Sequence, residues 1–234
     1  MSTADLQPSK LGTREHWDDV YDEEIRNFKD NGEEGEIWFG QESVDKMVDW
    51  ALENVPVDRA PSILEVGSGN GTLLFALADK RYPLDRLSGI DYSSGAIELA
   101  QSISESRGYE AITFNRCDFL REDPPLLPQS QQESRHEAWD LILDKGTFDA
   151  IALMGRDENG NAPVLGYPQR VFQLLKPGGY FLITSCNFTE TELQTAFDAS
   201  LEYHSRIQHR VYTFGGKSGS VCSSVAFRKP VTAS

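Results

Sequence analysis

The sequence is short of the features that mark secreted, membrane-spanning or nucleic-acid-binding chains. It has only three cysteines, Cys117, Cys186 and Cys222, far apart and without a C-x-x-C pair. That spacing argues against a disulfide framework and against a thiolate metal site, and no metal is expected. Of four histidines, the nearest two, His204 and His209, join no ligand motif and read as surface residues. No apolar run approaches the roughly 20 residues that cross a bilayer. The opening MSTADLQPSK lacks the apolar segment of a secretory signal. Positive charge is scarce as well: 22 Lys and Arg stand against 37 Asp and Glu, a net charge of −15. Such a surface repels phosphate backbones. The expectation is a cytoplasmic protein in a reducing setting, with no nucleic-acid or membrane partner.

What is present suits one domain with appendages rather than two, since 39% of the 234 residues are hydrophobic. Ten acids crowd Glu15–Glu36 against only Arg26 and Lys29. This run is either a solvated face or a surface that docks a basic protein. It overlaps a helix pattern starting at Thr13, with Trp17, Val20, Tyr21, Ile25 and Phe28 on one side. A second stripe follows Ser43: Val44, Met47, Val48, Ala51, Leu52 and Val55. Residues 1–60 are therefore read as a helical cap on the domain formed by 61–234, placed to cover its ligand edge.

The centre of the chain is Ile63–Gly71, ILEVGSGNG. An apolar run that stops at alternating glycines is a buried strand turning tightly into a helix. Beyond Glu65 the acids recur with a beat: Asp91 after 26 residues, Asp118 after 27 and Asp144 after 26. Each ends an apolar run, and helical stripes separate the first three. Repeated strand–helix units of this length predict a parallel sheet with one polar edge, where ligands bind near the switch in strand order. A fifth strand, Tyr180–Ser185, follows Lys176-Pro177-Gly178-Gly179. Thr189-x-x-Glu192 reads as a capping box. Two strands, Arg206–Phe214 and Val221–Arg228, close the chain as an antiparallel hairpin joined by Gly215–Ser220. The fold expected is a Rossmann-like α/β sheet of seven strands, mostly parallel, with helices on both faces. Residues 122–138, rich in Pro and Gln, are read as a flexible insertion.

Glu65-x-Gly67-x-Gly69-x-Gly71 is similar to the glycine motif of class I methyltransferases that use S-adenosylmethionine (SAM). Asp91 can accept both ribose hydroxyls, with Tyr92 beside it. Asp118 can accept from the adenine amino group, with Phe119 along the ring. The loop residues Gly67, Ser68, Gly69 and Asn70 would pack under the methionyl part, and Glu65 would orient loop amides or the SAM amine. Asp144 ends the fourth strand, where the methyl group should point. The competing role for each acid is a helix N-cap, above all for Asp91 and Asp118.

The segments LGTREHWDDVY, GEIWFG, ILEVGSGNG, GIDYS, CDFL, DKGTFDA and LITSCNFT resemble the eukaryotic lysine methyltransferases of translation elongation factor 1-alpha, from Leu11 to the end. The glycine motif is general to SAM enzymes of this fold; GEIWFG and DKGTFDA are narrower. The resemblance implies methyl transfer from SAM to a lysine of that basic protein. An aromatic sleeve for the lysine is expected from Trp38, Phe39, Phe148 and Phe188, with Asn187 beside it, although Trp38 has core packing as an equal alternative. Asp144 is expected to orient the incoming amine, so that Asp144→Ala abolishes turnover while SAM still binds. A small-molecule methyltransferase and a non-catalytic SAM-binding module are the competing readings.

Overall fold

A computed structural model describes residues 6–128, 138–214 and 217–231, with the backbone alone for 211–214 and 217–220. Two helices come first, α1 (Arg14–Asn31) and α2 (Gly40–Asn54). Thr13 caps α1 by accepting the His16 amide, and Gly32 ends it in the left-handed conformation. Then β1 (Ile63–Val66), α3 (Thr72–Asp79), β2 (Leu87–Asp91), α4 (Ser94–Arg107) and β3 (Thr113–Arg116) alternate. They are followed by β4 (Trp139–Lys145), α5 (Thr147–Ala152), α6 (Tyr167–Leu174), β5 (Leu175–Ser185) and α7 (Glu190–Phe197). The chain closes with β6 (Glu202–Ile207), β7 (Val211–Phe214), β8 (Lys217–Ser220) and β9 (Ser223–Arg228).

Seven strands form one sheet in the order β3-β2-β1-β4-β5-β9-β6. Strands β1 to β5 are parallel, and β9 runs antiparallel to both β5 and β6. The order reverses between β1 and β4, which opens a crevice at their carboxyl ends.

Side chains alternate across this sheet because successive Cβ atoms point to opposite faces. Ile63, Leu141, Leu143, Leu182 and Ala226 join the core beneath α1 to α4. Leu64, Val66, Ile142, Phe181, Ile183, Val225 and Phe227 join the core beneath α5 to α7. Burial on both faces explains why these strands read as continuous apolar runs. The capping box at Thr189 is present, with Glu192 reaching back to the Thr189 amide.

Two expectations are corrected here. The strand expected over 206–214 is split, and β7 pairs with β8 in a separate two-stranded sheet. The chain between β6 and β7 is tied down instead: Lys46 Nζ donates to the Gln208 carbonyl at 2.8 Å, and His209 Nε2 lies 2.7 Å from Ser224 Oγ. The expected turn at 215–220 loses 217–220 to β8, while 215–216 lie outside the described residues. The expected flexible insertion is also shorter than 122–138. Arg170 donates to the Phe119 carbonyl at 3.0 Å, to Asp123 at 2.9 Å and to the Glu122 carbonyl, and Leu127 is buried. This cation gathers three acceptors and holds the start of the segment to the core. Residues 129–137 lie outside the described residues.

Candidate active site

The crevice holds a cavity of about 240 Å³. The glycine loop forms its floor. Gly67, Gly69 and Gly71 all have positive φ, where an L side chain is strained. What lies against the bare backbone is other protein. A Cβ on Gly67 would sit 1.9 Å from Thr147 Oγ1, and one on Gly69 would sit 2.7 Å from the Tyr21 hydroxyl. The glycines thus let α5 and α1 close on β1, and these contacts shape the cavity. Asn70 holds a third segment there, donating to the Glu34 and Glu36 carbonyls at 2.9 and 3.4 Å.

Of the cofactor residues expected from the sequence, Gly67, Ser68, Gly69, Asn70, Asp91 and Tyr92 line the cavity. Asp91 is buried at its wall and accepts from the Gly69 amide (3.1 Å) and the Ser93 amide (2.9 Å). It therefore ties the loop to the turn before α4 while lining the cavity; the N-cap of α4 is Ser93, not Asp91. Trp38, Phe39 and Asn187 line the cavity too. Trp38 is half-buried and packs edge-on against Trp17 at 4.9 Å, so packing and lining are not exclusive. Phe39 is a non-glycine residue at φ 66°. It is held there with its ring against Gly146, and a strained residue of this kind is a mark of functional sites.

Other expectations are corrected. Asp144 is fully buried and does not line the cavity. It accepts from the Thr147 and Phe148 amides at 2.9 and 3.0 Å and from the Tyr167 hydroxyl. The capping role weighed chiefly for Asp91 and Asp118 is thus most fully developed in Asp144, at the start of α5. The reason is parity: Asp144 shares a face with Ile142, toward α5 and α6. Phe148 and Phe188 are buried 5.3 Å apart in the same core and form no sleeve. Asp118 is outside the cavity, accepting the Leu120 amide at 3.1 Å and pairing with Arg121. Phe119 is buried 4.7 Å from the Tyr167 ring. Glu65 lies beneath the loop, off the cavity wall.

Sequence reasoning passed over Trp17, Tyr21, Glu36, Lys145, Asp149 and Cys186, all of which line the cavity. Trp17 and Tyr21 bring α1 over the site; α2 contributes only its N-cap, Phe39. Asp149 accepts from the Cys186 amide at 2.7 Å and from the Ser185 hydroxyl, joining α5 to the end of β5. No disulfide joins the three cysteines, but Cys186 and Cys222, far apart in sequence, meet with Sγ atoms 3.0 Å apart.

The residues present fit SAM. Asp91 offers a carboxylate to a vicinal diol. Buried Ser68 Oγ, in a residue of the cavity wall, has no hydrogen-bond partner, which is costly unless a ligand or water supplies one. Lys145 adds a cation to the wall.

Burial raises the pKa values of these acids. Asp91 and Asp149 are pushed up to about 6 and Asp144 to about 7, and Glu65 is raised as well, although Lys145 opposes that shift. The native state then holds more protons than the unfolded chain once the pH exceeds the ordinary carboxyl range, so stability falls as pH rises from about 4 to about 7. The ligand-free protein is expected to melt at a higher temperature near pH 5.5 than near pH 8. Thermal scans by circular dichroism read this directly, and a melting temperature that climbs over the interval contradicts it.

A family model described as a methyltransferase domain matches residues 58–221. EEF1A lysine methyltransferase 2 of Homo sapiens is 38% identical over 223 residues, 95% of this chain and 88% of that protein. Protein-lysine N-methyltransferase EFM4 of Saccharomyces cerevisiae is 38% identical over 235 residues, 97% of this chain and 98% of its own. Among solved structures, N-methyltransferase NodS from Bradyrhizobium japonicum WM9 with S-adenosyl-L-homocysteine aligns with a TM-score of 0.52 at 19% identity, covering 81% of this chain and 97% of that one. At such identity the likeness shows the fold alone. The two relatives show more: at 38% identity over 88% and 98% of their own length, they show that the chain belongs to the protein-lysine methyltransferase family of EEF1A lysine methyltransferase 2 and EFM4.

Proposed function

We propose that the chain methylates a lysine side chain of elongation factor 1-alpha, with SAM as the donor. The reading is supported by the cavity itself, which Asp91, Asp149 and Asn187 line; in it Asp91 would take the nucleoside, and Asp149 and Asn187 the amine. Bound SAM supplies a methyl group already activated on a sulfonium, so the protein's task is alignment.

A lysine amine must arrive neutral. At pH 7 its deprotonation costs roughly 4–5 kcal/mol from an ordinary pKa near 10.4. Trp38, Phe39 and Leu153 line the cavity and withdraw the amine from water, which favours the neutral form. Asp149 attracts the cationic lysine, and its two bonds to β5 keep it rigid. The Asn187 carboxamide lies on the exposed rim, placed to accept an N–H while favouring the charged form less than a carboxylate does. Asn187→Ala is expected to lower kcat about tenfold with the KM for SAM unchanged. An equal loss in both parameters would place Asn187 on the cofactor instead.

The acidic face of α1 suits a basic partner. Arg14, Lys29 and Arg107 pair with Asp18, Glu98 and Glu34, and most of the acids over 15–36 remain exposed. Complementary charge of this kind speeds encounter more than it tightens binding.

The decisive experiment incubates the purified protein with methyl-tritiated SAM and purified elongation factor 1-alpha, followed by mass spectrometry of the labelled protein. Methyl-lysine in the factor is the expected result. A parallel incubation with a protein-free metabolite extract in place of the factor completes the test, and label there instead would favour a small-molecule enzyme. SAM binding without any transfer would favour a binding module.

A further inference from the structure

Lys145 is the last residue of β4, and the lysine chemistry proposed above gives it no task. Parity places it on the α1 face with Leu141 and Leu143, opposite to Asp144. It is the only lysine or arginine among the described residues that line the cavity, whose wall also carries the acids Glu36, Asp91 and Asp149. Its Nζ donates to the Trp38 carbonyl at 3.2 Å, so one N–H is committed to the segment over the site. Glu65 and Asp144 act on it electrostatically from below. Removing an ammonium from water is expensive, and one carbonyl returns little of that cost. In a cavity walled by carboxylates, the one cationic side chain on the wall is the feature an anionic group would seek.

We propose that Lys145 pairs with the α-carboxylate of the methionyl group of SAM and of S-adenosylhomocysteine. This rests on the SAM reading and adds one contact to it. The carboxylate is the sole anionic group of those ligands, and the three wall acids repel it. With Lys145 as its partner, the methionyl tail lies along the β1–β4 crevice and the ribose turns toward Asp91. Burial alone lowers the Lys145 pKa; Glu65, Asp144 and the arriving carboxylate all favour the charged form.

The test is a comparison of ligands by titration calorimetry. S-adenosylhomocysteine carries the carboxylate; its decarboxylated analogue, S-adenosyl-3-thiopropylamine, keeps the adenosyl, thioether and ammonium groups. Lys145→Met is expected to weaken S-adenosylhomocysteine at least about 30-fold. The analogue should change by less than about threefold. Lys145→Arg should retain most of the preference for the carboxylate. Because Lys145→Met leaves Glu65 buried without its cation, Lys145→Met/Glu65→Gln repeats the comparison with both charges removed. If either methionine variant weakens the two ligands equally, or keeps the parent's preference, the proposal is overturned. If the parent protein binds neither ligand, the SAM reading itself fails, and the proposal fails with it.

Discussion

Asp91→Ala is expected to weaken S-adenosylhomocysteine binding by about 100- to 1000-fold. The carboxylate is buried beside the cavity and already accepts two backbone amides. Adding the ribose diol makes it the acceptor for both loop and ligand. Each hydrogen bond to a charged group contributes about 1.5–3 kcal/mol, and removing the acceptor strands buried donors. Losing two such bonds, at the lower part of that range because the site is open to water, gives roughly 3–4 kcal/mol, or two to three decades in Kd. Asp91→Asn keeps the volume and one acceptor, so it should fall between the parent and the alanine variant. Calorimetric titration of all three decides the matter. A Kd within threefold of the parent in Asp91→Ala would mean the diol is held elsewhere.

The second large effect is on stability. Gly67→Ala is expected to lower the melting temperature by about 6–12 °C, from a destabilisation of roughly 3 kcal/mol. Part of this is the left-handed backbone at φ +65°, which costs an L-residue about 1–2 kcal/mol. The remainder comes from Thr147. A Cβ 1.9 Å from its Oγ1 would drive that side chain away and break its 2.8 Å hydrogen bond to the Val66 carbonyl. Gly32 is the internal control: it has φ +79° with open space around it. Gly32→Ala should show the backbone cost alone. Equal losses in the two variants would mean that the closeness of Thr147 to β1 contributes nothing.

The placing of the site was readable well before its occupants were. Three glycines at alternate positions marked the strand-to-helix turn, and acids spaced by 26 or 27 residues marked successive strand ends. Those two patterns locate the edge where the cavity lies and pick out Asp91, which lines it. They do not say which strand-end acid faces the ligand. Asp144 looked suited to the amine because it ends β4, yet it caps α5 under Tyr167. Its neighbour Lys145 takes the cavity position. A one-residue difference reverses the face, and a strand buried on both sides carries no polar alternation to reveal which face holds the site.

The aromatic residues divide in the same way. Trp38 and Phe39 reach the cavity because the turn before α2 puts Phe39 in a left-handed conformation against Gly146. Phe148 belongs to an equally distinctive stretch, yet its side chain belongs to the core between Tyr167 and Phe197. Asp149, one residue further on, was passed over because nothing local links it to β5. Its partners Ser185 and Cys186 lie 36 and 37 residues away.

Taken alone, the sequence determined the strand–helix alternation, the carboxyl edge as the binding edge, the glycine turn and the acid at the end of β2. These follow from periodicity and backbone freedom, which are properties of neighbouring residues. The tertiary structure decided that α1 rather than α2 closes the site, that Asp144 points into the core, and that Lys145 and Asp149 reach the cavity. Those outcomes depend on which face of the sheet each helix covers and on contacts between distant segments, and no local pattern encodes either.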